Sequence, residues 1–272
     1  MKSRNNGAQA CVIPSLNVHI SIPQRFGGID LPWYAVLGEH DHYGNSEAQL
    51  STCSEDGCPE VPPQWNMPWY NYTIVRPGGG GTRVQLVFID TFVLGEGYSG
   101  QMIMKSIRKG QADEGDMNTF VKYEKERSDA KQGQLQWLEE TLRDSIADWL
   151  IVVGHYPVYS GGEHGNSLEL IRDVKPLLDK YQVDMYMCGH DHGLQHLKEG
   201  GVDYVVSGGG SRRGKVGLGA AKQTQYASDA NGFAIAKMDS DRASVTLLGA
   251  FGQVRSPPLC QHSYFPAGRN SA

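Results

Sequence analysis

The chain has 272 residues, with 25 Lys and Arg against 30 Asp and Glu, giving a formal charge of −5. This balance supplies no basic field for nucleic acid, while 39% hydrophobic and 20% charged residues fit a globular chain able to bury a full core. No apolar run approaches the length of a membrane span, and Met1-Lys2-Ser3-Arg4 is not followed by the apolar core of a signal peptide.

Residues 1–30 mix Pro14, Pro23 and Gly27-Gly28 with a short alternation at Val18-His19-Ile20 and yield no firm element. Trp33 to Leu37 reads as a short buried strand. Cys53 and Cys58 flank an acidic turn, and five cysteines leave at least one unpaired. A local disulfide and two free thiols fit equally; no second pair stands at zinc-finger spacing. Asn71-Tyr72-Thr73 is a glycosylation sequon, a triplet common by chance. Met67 to Val75 and Arg83 to Asp90 read as strands joined through Pro77 and Gly78 to Gly81. That glycine run lacks the Lys-Ser/Thr of a phosphate loop, which makes it a hairpin turn.

Residues 96–130, charged and weakly periodic, read as an exposed excursion, either a solvated surface loop or one lying over the site. Leu135, Leu138 and Leu142 then define an amphipathic helix with Glu139, Glu140 and Arg143 outward. A strand follows at Trp149 to Val153. A helix spans Ser167 to Tyr181, where Pro176 kinks or restarts it. Strands are expected at Val183 to Cys188, Tyr204 to Ser207, Gly232 to Met238 and Ser244 to Leu248. Strands alternating with helices, then mostly strands, indicate a mixed α/β sheet architecture.

Three of these strands end in glycine followed by metal-binding side chains: Gly38-Glu39-His40-Asp41-His42, Gly154-His155-Tyr156-Pro157 and Gly189-His190-Asp191-His192. A lone histidine at a strand end is more often a hydrogen-bonded structural residue than a ligand. Three together, with His164 close behind, point to imidazoles converging on Zn, Fe or Mn. His190 and His192 share a side in an extended chain, and in a splayed loop reach two neighbouring metals. Asp41 and Asp191 either orient imidazoles or cap their loops.

Read in order, Gly-Glu-His-Asp-His-Tyr-Gly-Asn, Gly-His-Tyr-Pro-Val-Tyr-Ser-x-x-Glu-His-Gly and Cys-Gly-His-Asp-His-x-Leu-Gln resemble the purple acid phosphatases of the tartrate-resistant type, within the metallophosphoesterase superfamily. Phe88-Ile89-Asp90-Thr91, Gln136-Trp137-Leu138 and Val206-Ser207-Gly208-Gly209-Gly210 extend the resemblance over residues 31–253. It implies an αββα sandwich of two mixed β-sheets flanked by helices, with residues 1–30 unassigned and 254–272 a loosely ordered tail.

The resemblance also implies hydrolysis of phosphomonoesters at acid pH by a binuclear centre of Fe with Fe or Zn, or with Mn. His155 and His190 would bind the second, divalent metal and His192 the ferric one. His40 and His164 would orient the phosphate and protonate the leaving group. Secreted, lysosomal or vacuolar placement follows from the family; partners other than a phosphomonoester, including nucleic acid and membrane, are not expected.

Two departures shape the expectation. The family's Asp-x-Gly and Gly-Asp-x-x-Tyr blocks, which supply a first-metal Asp, a bridging Asp and a tyrosinate, have no counterpart before Leu31. The fold is therefore expected to lack its first strands, with bare sheet edges and poor solubility. Glu39 stands where the family has an asparagine that binds the second metal. Being longer, it either overshoots the metal or binds as a carboxylate, which would complete a two-His-one-carboxylate set with His155 and His190, suited to a single metal. The alternative function is a catalytically dead relative that keeps this one site as a binding or regulatory protein.

Overall fold

A computed structural model describes residues 11–12, 31–42, 46–51, 64–95, 114–217, 221–254 and 262–263. Its centre is strand β6, Trp149–Val153, where Trp149, Ile151 and Val153 turn to one face and Leu150 and Val152 to the other, all buried. A strand apolar on both faces belongs inside a sheet covered on both sides. β6 runs parallel to β5 (Arg83–Phe88) and β7 (Met185–Cys188), and β7 runs parallel to β9 (Val202–Ser207). Antiparallel β4 (Tyr72–Pro77), β8 (Leu194–Glu199) and β10 (Thr224–Ser228) complete seven strands in the order β10-β8-β9-β7-β6-β5-β4.

One face of this sheet packs on helices. Leu138 and Leu142 of the helix Glu114–Arg143, Leu170 of Leu168–Asp173 and Leu178 of Lys175–Lys180 meet Leu150, Val152 and Tyr186. The other face packs on two smaller sheets through Trp33, Trp65, Val245 and Leu247. One is β1-β2-β3 (Cys11–Val12, Trp33–Val36, Trp65–Asn66); the other is β11-β12-β13 (Gly232–Met238, Arg242–Gly249, His262–Ser263). The layered sheet-on-sheet fold expected from the sequence is present. β2 is paired on both sides: Cys11 and Val12 with Val36 and Ala35, and β3 on the other.

Several expectations are corrected. Residues 114–130 are helical, not part of a loop. Between Lys125 and Gly133 the side chains face mostly outward, so no apolar period marks the helix there; helix-favouring Glu, Lys, Arg and Gln carry it. The strand expected over Met67 to Val75 is split, because Pro68 lacks an N–H and Trp69 lies 57% exposed at a bend between β3 and β4. As expected of Pro176, the helix over Ser167 to Tyr181 restarts at Lys175, with the proline in the first turn where a missing N–H costs little. His262 and Ser263, within the segment read as a loose tail, pair with β12. The glycine turn does join an antiparallel hairpin, with Pro77 opposite Arg83. Cys53, Cys58, the alternation at Val18-His19-Ile20 and residues 96–113 lie outside the described residues.

Tyr72 ties the two layers together. Its ring stacks on Phe88 at 4.4 Å, and its hydroxyl reaches the carbonyls of Ala35 (2.8 Å) and Asn66 (3.1 Å) in the neighbouring sheet. Burial pushes the phenol well above its ordinary pKa, which keeps it a donor. Tyr72→Phe is expected to lower stability by about 1–2 kcal/mol in urea melts, because both carbonyls lose a buried partner.

On the helical face, Arg172 and Lys131 hold the Asp173 carboxylate at a pKa of about 2, below its ordinary 3.8. The folded state binds this proton more weakly than the unfolded chain. The stabilisation is therefore complete above about pH 4 and is lost as pH falls through about 2. Asp173→Asn is expected to cost about 1 kcal/mol near neutrality and nothing at the acid end, read from melts across pH.

Candidate metal centre

The site forms where three strands end. β6 and β7 lie side by side in register, Val153 opposite Met187, so Gly154-His155 and Gly189-His190 leave the sheet together. The Gly154 N–H donates to Met187 O at 3.0 Å, and the Gly189 N–H to His155 O at 3.1 Å. β2 delivers Gly38-Glu39 from the facing sheet, where Glu39 opens a single helical turn, Glu39–His42.

His155 is fixed through its backbone. Thr91 Oγ1 accepts from the N–H groups of His155 (3.1 Å) and Tyr156 (2.8 Å), and Tyr186 donates to Tyr156 O at 2.7 Å. A Cβ on Gly154 would come within 2.5 Å of both Thr91 and Tyr186, so only glycine fits this exit. His190 sits in left-handed backbone at φ 63°, an uncommon conformation for a non-glycine residue and frequent at functional sites.

Three donor atoms converge. Glu39 Oε2 lies 2.5 Å from His155 Nε2 and 3.3 Å from His190 Nδ1, and the two ring nitrogens are 3.2 Å apart. Burial raises the Glu39 pKa, but hydrogen bonding and charge from His155 and His190 outweigh it and hold the carboxyl far below the ordinary range. Glu39 Oε2 is nevertheless buried without a well-directed hydrogen bond. A tetrahedral metal with ligands near 2.0–2.1 Å sets its ligand atoms about 3.3 Å apart, and two of the three edges already match that spacing. Glu39, His155 and His190 thus fit one cation, and they are the cluster with metal-ligand proximity among the described residues.

The other expected residues are placed differently. His164 lies beside the triad, its ring 4.2 Å from that of His190, on an exposed loop. His40 is 52% exposed, with Nε2 at 3.7 Å from Glu39 Oε1. His192 is not part of the triad, and among the described residues no second metal set includes it. Burial, then the charge of Arg212, holds its pKa below the ordinary imidazole value. The described residues therefore do not fit the second metal of a binuclear centre.

Asp41 and Asp191 accept hydrogen bonds from backbone N–H groups and a hydroxyl rather than from imidazoles. Asp41 accepts from the Gly38 N–H at 2.8 Å, and burial raises its pKa. Asp191, 1% exposed, accepts from the Ser160 hydroxyl and from the His164 N–H at 3.1 Å. Gln195 closes the same network, donating to Ser160 Oγ at 2.8 Å and accepting from the Gly161 N–H at 2.7 Å. This network binds the His164 loop to the loop of His190.

Sequence reasoning missed Asp90 and Thr91 as supports. Asp90 caps the turn Thr91–Leu94 and reaches His42 Nε2 at 2.9 Å, while His42 stacks on Phe92 at 4.3 Å. The signal was present in Phe88-Ile89-Asp90-Thr91, an apolar strand running into a helix-capping residue.

Comparison with known proteins establishes the family. The calcineurin-like phosphoesterase profile matches residues 14–194. The chain belongs to that family of metallophosphoesterases, and its relatives are the purple acid phosphatases. It is 36% identical over 187 residues to tartrate-resistant acid phosphatase type 5 of Oryctolagus cuniculus, covering 67% of this chain and 50% of the relative. To the Homo sapiens protein of the same name it is 33% identical over 236 residues, covering 82% and 65%. Purple acid phosphatase 4 of Arabidopsis thaliana is 29% identical over 271 residues, covering 96% and 74%. The chain spans half to two-thirds of the length of the two tartrate-resistant relatives. The solved structure of GAP50, the anchor in the inner membrane complex of Plasmodium, shares the fold at a TM-score of 0.65 and 24% identity, covering 85% of this chain and 67% of that one. Among the described residues no helix is long and apolar enough to cross a membrane.

Proposed function

We propose that the chain hydrolyses phosphomonoesters as an acid phosphatase, using a single divalent metal held by Glu39, His155 and His190. The observation that carries the proposal is the convergence of one buried carboxylate oxygen and two imidazole nitrogens within 3.3 Å of one another. When bound, zinc, iron or manganese at such a site lowers the pKa of a ligated water and polarises a phosphoryl oxygen.

The protein's own residues supply the rest. Glu39 keeps the two ring nitrogens facing inward. Thr91 and Tyr186 hold the His155 backbone so that its ring does not swing out. His164, its backbone N–H held by Asp191, and His40, which follows Glu39 in the chain, are both exposed. From there an imidazole can hydrogen-bond a phosphate oxygen and pass a proton to the departing alkoxide, which mildly acidic conditions favour. A secreted, lysosomal or vacuolar setting would suit that requirement.

A second reading is supported by His192, which has no companion ligands among the described residues. In it the chain binds one metal and a phosphoester without turning it over. Turnover of an aryl phosphate at acid pH by the metal-loaded chain distinguishes the two. Metal-dependent turnover that His155→Ala abolishes supports the phosphatase; metal bound without turnover supports the binding protein. A chain that takes up no metal contradicts both.

A further inference from the structure

We propose that Asn71 is an attachment site for an N-linked oligosaccharide, added before β4 pairs with β5 and kept on the folded surface at the head of β4. The inference rests on the secreted, lysosomal or vacuolar setting of the proposed function, but on neither metal binding nor turnover.

Asn71-Tyr72-Thr73 is the one Asn-x-Ser/Thr triplet in the sequence. Such a triplet alone says little; its place in the fold says more. β4 ends the seven-stranded sheet, and among the described residues it pairs with β5 alone. Within the triplet, Tyr72 is turned into the core, where it stacks on Phe88 and bonds the Ala35 and Asn66 carbonyls. Alternation along a strand then sends Thr73 and Val75 to the opposite face, and both are exposed there. Asn71 lies in the bend that leads into β4, two residues after the exposed Trp69, and is itself partly exposed. Among the described residues no hydrogen bond ties down its amide, so a sugar on Nδ2 displaces none.

Thr73 sets the order of events. A glycan acceptor needs the hydroxyl two residues on as well as the amide. In the folded sheet that hydroxyl is engaged: it donates to Leu86 O at 3.0 Å and accepts from Gln85 Nε2 at 3.0 Å. Both partners belong to β5. The acceptor is therefore free only while β4 and β5 are apart, and the finished fold still leaves Asn71 room for the product.

The donor is an oligosaccharide joined through pyrophosphate to a lipid. Asn71 Nδ2 forms a bond to C1 of the first sugar and gives up one proton. The C1–O bond breaks, and its electron pair leaves with the lipid pyrophosphate. The product is a bulky, solubilising group beside an open sheet edge, where bulk hinders pairing with a second chain.

The test is translation of the full chain, behind a supplied secretion leader, into microsomes, read by mass. The chain is expected to gain one oligosaccharide, which peptide-N-glycosidase removes, leaving aspartate at position 71 in the peptide map. The gain should vanish in Asn71→Gln and Thr73→Ala and persist in Thr73→Ser. Peptide mapping of the parent reads the site even where a variant fails to fold. The chain folded beforehand without sugar, offered to detergent-solubilised transferase and its lipid-linked donor, should gain none. No gain in the translocated parent, or an undiminished gain in Asn71→Gln, overturns the attachment site and leaves the phosphatase reading standing. Efficient modification of the prefolded chain overturns the order of events. Because the leader is supplied, a chain that naturally resides elsewhere does not alter these outcomes.

Discussion

Replacing Glu39 with glutamine is expected to lower zinc affinity by about a hundredfold or more. Outer residues that merely orient a ligand are worth about ten to a hundredfold in metal affinity, and Glu39 contributes a donor atom and the set's one negative charge. Glutamine keeps the length and shape of the side chain, so the change isolates charge and ligand quality. The surroundings are built for the anion: His155 and His190 hold the carboxyl far below its ordinary pKa against the opposing effect of burial. Glu39→Asp keeps the charge but withdraws it by about one C–C bond, ~1.5 Å, and should lose much of the same affinity. Competition with a calibrated chelator measures both. Parent-like affinity in Glu39→Gln would mean that the carboxylate is a bystander.

Gly208→Ala is the change expected to damage fold and site together. A Cβ on Gly208 would overlap the Asp191 carbonyl oxygen and lie 2.9 Å from its carbon. Both are backbone atoms, so no flexible side chain can yield. That backbone belongs to the turn carrying His190, whose own φ of 63° leaves little freedom to move. Overpacking of ordinary cores costs about 1–3 kcal/mol and sometimes more; here a loss of about 3 kcal/mol or more is expected, with zinc binding lost in the same variant. Gly133→Ala is the control. It lies in the long helix, where an added methyl group would meet no atom within 4 Å, and should stabilise by about 0.5–1 kcal/mol. Thermal or urea melts of the two variants read the contrast directly.

The triad that could hold a metal is legible in the sequence because strand-end chemistry is local. Gly154-His155 and Gly189-His190 each follow four or more apolar residues, and neighbouring parallel strands bring such ends together. What holds them was harder to read. Gln195 and His196 interrupt the apolar pattern of β8, so the strand was not predicted. Their burial goes with partners on other segments, Ser160 and Gly161 for Gln195 and Asp203 of the neighbouring strand β9 for His196. Pairing of Cys11–Val12 with β2 rests on two residues in each strand and leaves no periodic trace. Asp191 could be narrowed to two roles from sequence, orienting imidazoles or capping a loop. The structure supports the second, because its carboxylate meets the Ser160 hydroxyl and the His164 N–H.

Glu39 changes what the three motifs amount to. With asparagine there, His155 and His190 would share a neutral ligand in one half of a two-metal centre. With glutamate they form a self-contained set, and among the described residues His192 belongs to no such set. The direct test is the metal stoichiometry of the purified full chain after loading with zinc and removing the excess. The account predicts one ion per chain, lost in Glu39→Gln; two ions per chain, or none, would contradict it.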